Sequence, residues 1–286
     1  MWIVAHLIGM QGALACAGLC LAWRREGARS GALVLAAAGV LLFDLIAAGM
    51  LIPLRTELDG SLRAWILFGA ALVWLIWPAC LWRVGLARRH PPLHLEPFVA
   101  RVLIPLGLTL QLALTGLTAA GLVGWFTAHR SPVLPPGWLT LALGVNLAAG
   151  ALLIGAALCG CTIDGRGGCA GRPPRARLVR AGWLLELAVL ARVAAIGGSL
   201  GLAAHFSPLG PRFFFVRMAV TGSSLMLTRV LLGLVLPMLF GAMVFLSLGE
   251  PAERQAAQQF VPTLILVLLG EILGAGLTLG LSGVAF

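Results

Sequence analysis

Eight long apolar runs, separated by arginines or by stretches rich in proline and glycine, restrict this chain more than any other feature. Their approximate limits are Trp2 to Trp23, Ala32 to Leu54, Ala64 to Trp82, Val102 to Phe126, Trp138 to Leu158, Ala181 to Ala204, Arg229 to Leu248 and Pro262 to Phe286. A helix needs about 20 predominantly apolar residues to cross about 30 Å of hydrocarbon, and each run meets that requirement to within a few residues. With 60% hydrophobic and only 10% charged residues, water cannot be the main solvent. The expected fold is an all-α integral membrane protein, a bundle of eight transmembrane helices forming one polytopic domain over residues 1–286. No connection is long enough to bury a core of its own, so any globular chemistry has to come from partners.

The basic residues are all arginines, and their distribution sets an orientation. Arg24, Arg25 and Arg29 follow the first run; Arg83, Arg88, Arg89 and Arg101 follow the third; Arg166, Arg172, Arg175, Arg177 and Arg180 follow the fifth; Arg254 follows the seventh. The opposite side carries Arg55, Arg63, Arg130, Arg212 and Arg217. The richer side is the cytoplasmic one, which puts both termini outside the cytoplasm and the protein in the inner (cytoplasmic) membrane. The net charge of +10 is thereby a topology signal, and a nucleic-acid partner is not expected. The first run is read as a retained helix rather than a cleavable leader, because no basic segment precedes it.

Cys16, Cys20 and Cys80 fall in or near apolar runs, where a thiol behaves as a small hydrophobe. Cys159, Cys161 and Cys169 are placed together in the third cytoplasmic connection, a C-x-C-x7-C spacing that only weakly resembles a zinc site. The connection from Phe206 to Thr228, with Pro208, Pro211 and Phe213-Phe214-Phe215, reads as an interfacial segment that anchors aromatics at the headgroups or docks a partner.

Asp44, Glu186, Arg192 and Glu271 lie inside predicted spans, where a charge costs at least about 2.5 kcal/mol. Such groups must be paired, hydrated or functional. Counted inward from the cytoplasmic ends at about 1.5 Å per residue, Asp44, Arg192 and Glu271 reach similar depths, so Arg192 could pair with either acid. Glu186 and Arg192 share a helix but not a face. Both a structural ion pair and a proton or quinone role satisfy the desolvation requirement. Haem b would need axial imidazoles; His90, His94 and His129 fall in connections, leaving His6 and His205 as the possible outer pair.

Three segments carry a family resemblance. Gly270-Glu271-Ile272-Leu273-Gly274-Ala275-Gly276 resembles the last-helix G-E-x-x-G-R-G segment of the membrane anchor of anaerobic dimethyl sulfoxide reductase, with Glu271 in the place of the acid. Val133-Leu134-Pro135-Pro136-Gly137-Trp138 is similar to that family's V-P-x-W entry to its fifth helix. Glu57-Leu58-Asp59-Gly60-Ser61-Leu62-Arg63-Ala64 is similar to its H-L-G-x-P-x-R-A loop, keeping Arg63 but with Glu57 for the histidine. Arg229 stands where the family opens its seventh helix with an arginine, while Ala275 replaces the last-helix arginine.

The resemblance implies a haem-free anchor that exchanges electrons with menaquinone or ubiquinone. Its partners would be an iron–sulfur subunit with four clusters and a catalytic subunit with a molybdenum or tungsten pterin. The expected quinone site combines the outer Glu57 to Arg63 loop with His6, Gln11 and Arg229; arginine would hydrogen-bond a quinone oxygen and Glu57 would handle protons. The competing expectations are a haem b anchor using His6 and His205, and a secondary transporter whose path is lined by Asp44, Arg192 and Glu271.

Overall fold

The computed structural model describes residues 2–25, 30–50, 60–87, 99–129, 133–163, 175–208, 210–247 and 258–280. These are almost wholly helical, and no strand occurs among the described residues. The helices are α1 (Trp2–Arg25), α2 (Ser30–Met50), α3 (Gly60–Ala87), α4 (Ile104–His129), α5 (Pro136–Ile163), α6 (Arg175–Phe206), α7 (Gly210–Val230), α8 (Leu236–Leu246) and α9 (Phe260–Gly280). Two π-helical segments, Val99–Leu103 and Leu231–Val235, run directly into α4 and α8.

Among the described residues, five stretches are long and apolar enough to cross a membrane: Arg101–Ala128, Pro136–Cys161, Leu178–Phe206, Ser224–Leu246 and Phe260–Thr278. Shorter apolar stretches occupy Ile3–Gly18, Ala37–Ala47 and Ile66–Ala79. Leu75, Leu187, Leu190 and Leu246 point outward, while Arg192, Arg229 and Glu271 are buried. Apolar side chains on the outside and charges within suit hydrocarbon as the solvent. The chain is a multi-pass membrane protein.

Several connections differ from expectation. The Phe206 to Thr228 connection is mostly helix: α7 starts at Gly210, whose φ of +80° suits a residue without Cβ, and Pro211 follows in the first turn, where its missing N–H costs nothing. The fifth helix extends to Ile163, so Cys159 and Cys161 are helical rather than part of a loop. Cys161 Sγ donates to the Phe260 carbonyl at 3.2 Å. Cys169, His90 and His94 lie outside the described residues, as do Arg29, Arg55, Arg88, Arg89, Arg130, Arg166, Arg172 and Arg254.

Both π segments have a proline two residues beyond their end, Pro105 and Pro237. Proline has no N–H for the carbonyl four residues earlier, and its ring crowds that carbonyl. The chain answers by widening the preceding turn, and the Leu236 N–H donates to the Leu231 carbonyl instead of the one four residues back.

The chain divides into two compact units, Met1–Gly121 and Leu122–Phe286. In the first, α1 packs along α2, and α2 on α3. Gly9 and Gly12 let α1 close on the α2 backbone and Phe43; Gly39 receives Cys16; Gly69 receives Leu114. In the second unit, α5 packs on α6, and α9 packs against α5, α7, the second π segment and α8. A close backbone approach joins Gly233 of the π segment to Gly270 of α9, where a Cβ added at Gly233 would lie 2.9 Å from the Gly270 Cα. Backbone cannot yield as a flexible side chain can. Gly233→Val is therefore expected to cost about 1–3 kcal/mol by overpacking, seen as a lower melting temperature of the detergent-solubilised protein; an unchanged melt would mean that the two helices are not in contact there.

Candidate functional site

The second unit holds a buried charge cluster. Arg192 projects from α6 toward α9, where its Nε donates to Glu271 Oε1 at 2.9 Å and its Nη2 to Oε2 at 2.7 Å. This two-bond fork occupies both carboxylate oxygens and suits the planar guanidinium. Arg192 Nη1 donates to Oδ1 of Asn146 at 2.9 Å and also to the Asn146 carbonyl, tying α5 into the pair. Asn146 Nδ2 in turn donates to Ser199 Oγ at 2.6 Å and to the Ala142 carbonyl at 2.9 Å.

A second arginine enters from α7. Arg229 Nη1 donates to the Gly270 carbonyl, and Nη2 comes to 3.8 Å from Glu271 Oε1, an ion pair without a hydrogen bond. Its guanidinium lies over Gly274, where any Cβ would overlap it. Gly270, Glu271 and Gly274 are the residues that carry the last-helix resemblance. Here the two glycines provide a close backbone contact with the π segment that follows α7 and the seat of the guanidinium, and the acid stands between two arginines.

A different polar group lies within the first unit. Asp44 of α2 is 1% exposed and sits beside the Trp74 indole of α3 and the Gln111 carboxamide of α4. The approach does not satisfy these groups: Asp44 Oδ2 and both polar atoms of Gln111 have no hydrogen-bond partner. Trp77, fully buried one turn beyond Trp74, packs on Gly107 and leaves its indole N–H without a partner. Trp74 itself is 40% exposed, so the group lies one side chain from the apolar surface. Along α4, Thr115 and Thr118 continue the polar face, and Thr115 donates to the Gln111 carbonyl.

His6 belongs to the same unit. Its Nδ1 is 2.7 Å from the Ala47 carbonyl, which can only accept, so this nitrogen carries the proton. Nε2 is left to accept from the Thr118 hydroxyl at 3.4 Å. The ring thus ties α1 to α2 and α4 with both nitrogens, whereas an axial haem ligand would need one of them. His205 is exposed at the end of α6, its ring edge-on to Phe206.

Of the expected quinone residues, His6 and Gln11 are buried in the first unit, and Arg229 belongs to the second, joined to Glu271. Arg63 lies in the first turn of α3, and Glu57 lies outside the described residues. Of the intramembrane charges, Arg192 takes Glu271, while Glu186 turns toward Gly241 of α8 with its Oε1 unpartnered. Among the described residues no His/Cys/Asp/Glu group has the makings of a metal site. Gln111, Trp74, Trp77, Asn146 and Ser199 complete the two sites without having been expected; neutral amides within apolar runs are the signal that would have found Gln111 and Asn146.

Comparison of the chain with family models, curated proteins and solved structures gives no match.

The charge arrangement makes the cluster unequal in its response to mutation. Glu271→Gln leaves two guanidiniums facing each other without a carboxylate and is expected to cost about 3–5 kcal/mol. Arg229→Gln leaves the Arg192–Glu271 fork whole and should cost much less. Melting temperatures of the two purified variants test this, and equal losses would contradict it.

Proposed function

We propose that this chain is the membrane-anchor, quinone-interacting subunit of a molybdopterin/iron–sulfur oxidoreductase complex. It would sit in the inner membrane with eight helices across it and both termini outside the cytoplasm. Its task is to pass electrons between the quinone pool and a partner iron–sulfur subunit. The observation that carries the reading is the Asp44–Gln111 group: polar atoms without hydrogen-bond partners, buried in an apolar bundle beside the Trp74 indole, which is itself 40% exposed at the apolar surface.

A quinone suits that group chemically. Its ring is flat and apolar and stacks on aromatic faces, and it arrives from lipid rather than from water. Gln111 Nε2 can donate to a quinone carbonyl, and Asp44 can accept from a quinol hydroxyl and take its proton. His6 and Thr118 hold α1, α2 and α4 in register around this face. The resemblance of the Glu57 to Arg63, Val133 to Trp138 and Gly270 to Gly276 segments to the reductase anchors supports the assignment to a complex, whose catalytic and cluster-bearing subunits supply the chemistry that short connections cannot.

Two measurements test the parts separately. The tagged chain, extracted from its own membranes in mild detergent, should bring down an iron–sulfur protein and a molybdopterin protein, identified by mass spectrometry; purification alone would refute the complex. A short-chain quinone should quench its tryptophan fluorescence saturably, and Asp44→Asn with Gln111→Leu should weaken that binding by about tenfold or more, a loss of at least about 1.4 kcal/mol. Unchanged affinity would remove the site. In the assembled complex, replacing Glu57 and Arg63 should slow quinol-coupled turnover if that loop forms the entrance.

A further inference from the structure

Glu186 is an acid in an apolar helix that neither the charge cluster nor the Asp44–Gln111 group uses. It lies about eight residues, or about 12 Å, inside the start of the span Leu178–Phe206. The side chain is half-buried, and Trp183, Leu187 and Leu190 around it are exposed on the apolar surface. Its Oε1 turns inward onto Gly241 of α8, where it is buried without a hydrogen-bond partner. A Cβ at position 241 would overlap that oxygen, so the glycine makes room for the carboxyl. One turn nearer the start of α6, the rings of Trp183 and Phe245 meet with centroids 5.4 Å apart. This aromatic pair stands between the carboxyl and the end of α6 that carries Arg175 and Arg180.

The elements packed on α6 bring no counter-charge to this acid. Among the described residues, no ion pair includes Glu186. The segment Leu231–Val235 and α8 contain no titratable side chain. On α6 itself, Arg180 and Arg192 stand about 9 Å away along the axis and about 120° around it, and Arg192 is joined to Glu271. On α7, Arg229 is turned to Gly270 and Glu271, while Arg212 and Arg217 lie nearer its start. On α5 the titratable groups are Cys159 and Cys161 near its end, the latter donating to the Phe260 carbonyl. An isolated carboxylate is far costlier in apolar surroundings than the neutral acid, and it takes up a proton where no counter-ion is supplied.

We propose that Glu186 is a proton-binding site at the lipid boundary. It stands there as the neutral acid, seated on Gly241 and open on its other side to lipid-soluble reagents. This makes it a modification site for hydrophobic carbodiimides. The acid proton passes to one carbodiimide nitrogen as a carboxyl oxygen adds to the central carbon, turning one C=N double bond into a single bond. The acyl group then shifts from that oxygen to the other nitrogen, leaving a stable N-acylurea. No group leaves, and the apolar surroundings keep out the water that would return the free acid. The site lies within the second unit and stands independently of quinone binding at Asp44 and Gln111.

The test treats the full chain, in vesicles of neutral lipid, with dicyclohexylcarbodiimide or with a water-soluble carbodiimide, and locates adducts by peptide mass spectrometry. Dicyclohexylcarbodiimide should modify Glu186 and spare Glu271, which is buried. It should give at least about tenfold more Glu186 adduct than the water-soluble reagent, because its apolar rings carry it into the bilayer. Glu186→Gln should lose the adduct. In infrared difference spectra at neutral pH, that variant should also lose the carbonyl stretch of one neutral carboxylic acid. A chain without adduct at Glu186, as an ion pair with a partner's cation would enforce, overturns the proposal. So do equal labelling by the two reagents and a difference spectrum in which the lost bands are those of a carboxylate. If Glu186→Gln does not fold, the adduct map of the unaltered chain decides the matter.

Discussion

Hydrocarbon offers no hydrogen bonds, and this lack organises the second unit around one carboxylate. Arg192 meets both oxygens of Glu271 inside an apolar bundle, Arg229 approaches the same carboxylate, and Asn146 takes the Arg192 Nη1 edge. Ser199 then satisfies Asn146. Each polar group calls for the next, and the chain of demands passes from α9 through α6 to α5. The small residues around it follow from the same need: Gly233, Gly270 and Gly274 bring the helices near enough for side chains to meet rather than leave polar atoms bare.

The first unit solves the same problem less completely. His6 closes its own account with a backbone carbonyl and a threonine, but Asp44, Gln111 and Trp77 each keep a buried polar atom without a hydrogen-bond partner. Such a deficit is costly in a structure whose only purpose is to persist, and useful in one that has to receive a polar head from the lipid. The contrast divides the labour: a tied charge cluster that fastens helices, and a partly satisfied neutral face suited to a visitor.

Much of the architecture was legible because the bilayer imposes a length. The apolar runs predicted helices at nearly the observed places, and Asp44, Arg192 and Glu271 stood out because charges inside such runs are expensive. What remained hidden depends on angle rather than on length. Equal depth left Arg192 a choice of two acids, and only the facing of α6 and α9 selects Glu271. The neutral amides Gln111 and Asn146 raise no alarm in a search for charge, although they occupy buried positions as consequential as those of the acids. The segment with Phe213, Phe214 and Phe215 looked like a connection because it holds two arginines and is preceded by two prolines; Pro211 instead falls where a helix can begin.

The widened turn at Leu231–Val235 has a consequence for the rod that contains it. One surplus residue in a turn advances everything downstream by about 100° around the helix axis. Upstream of it, Arg229 addresses α9; within it, Gly233 lies on the α9 backbone; downstream, Gly241 meets Leu185 and Glu186 of α6. A regular helix would carry one stripe along its length. The proline-set irregularity works as a change of phase, turning the face that the second half of the rod presents to α6 and α9 relative to the face presented by the first.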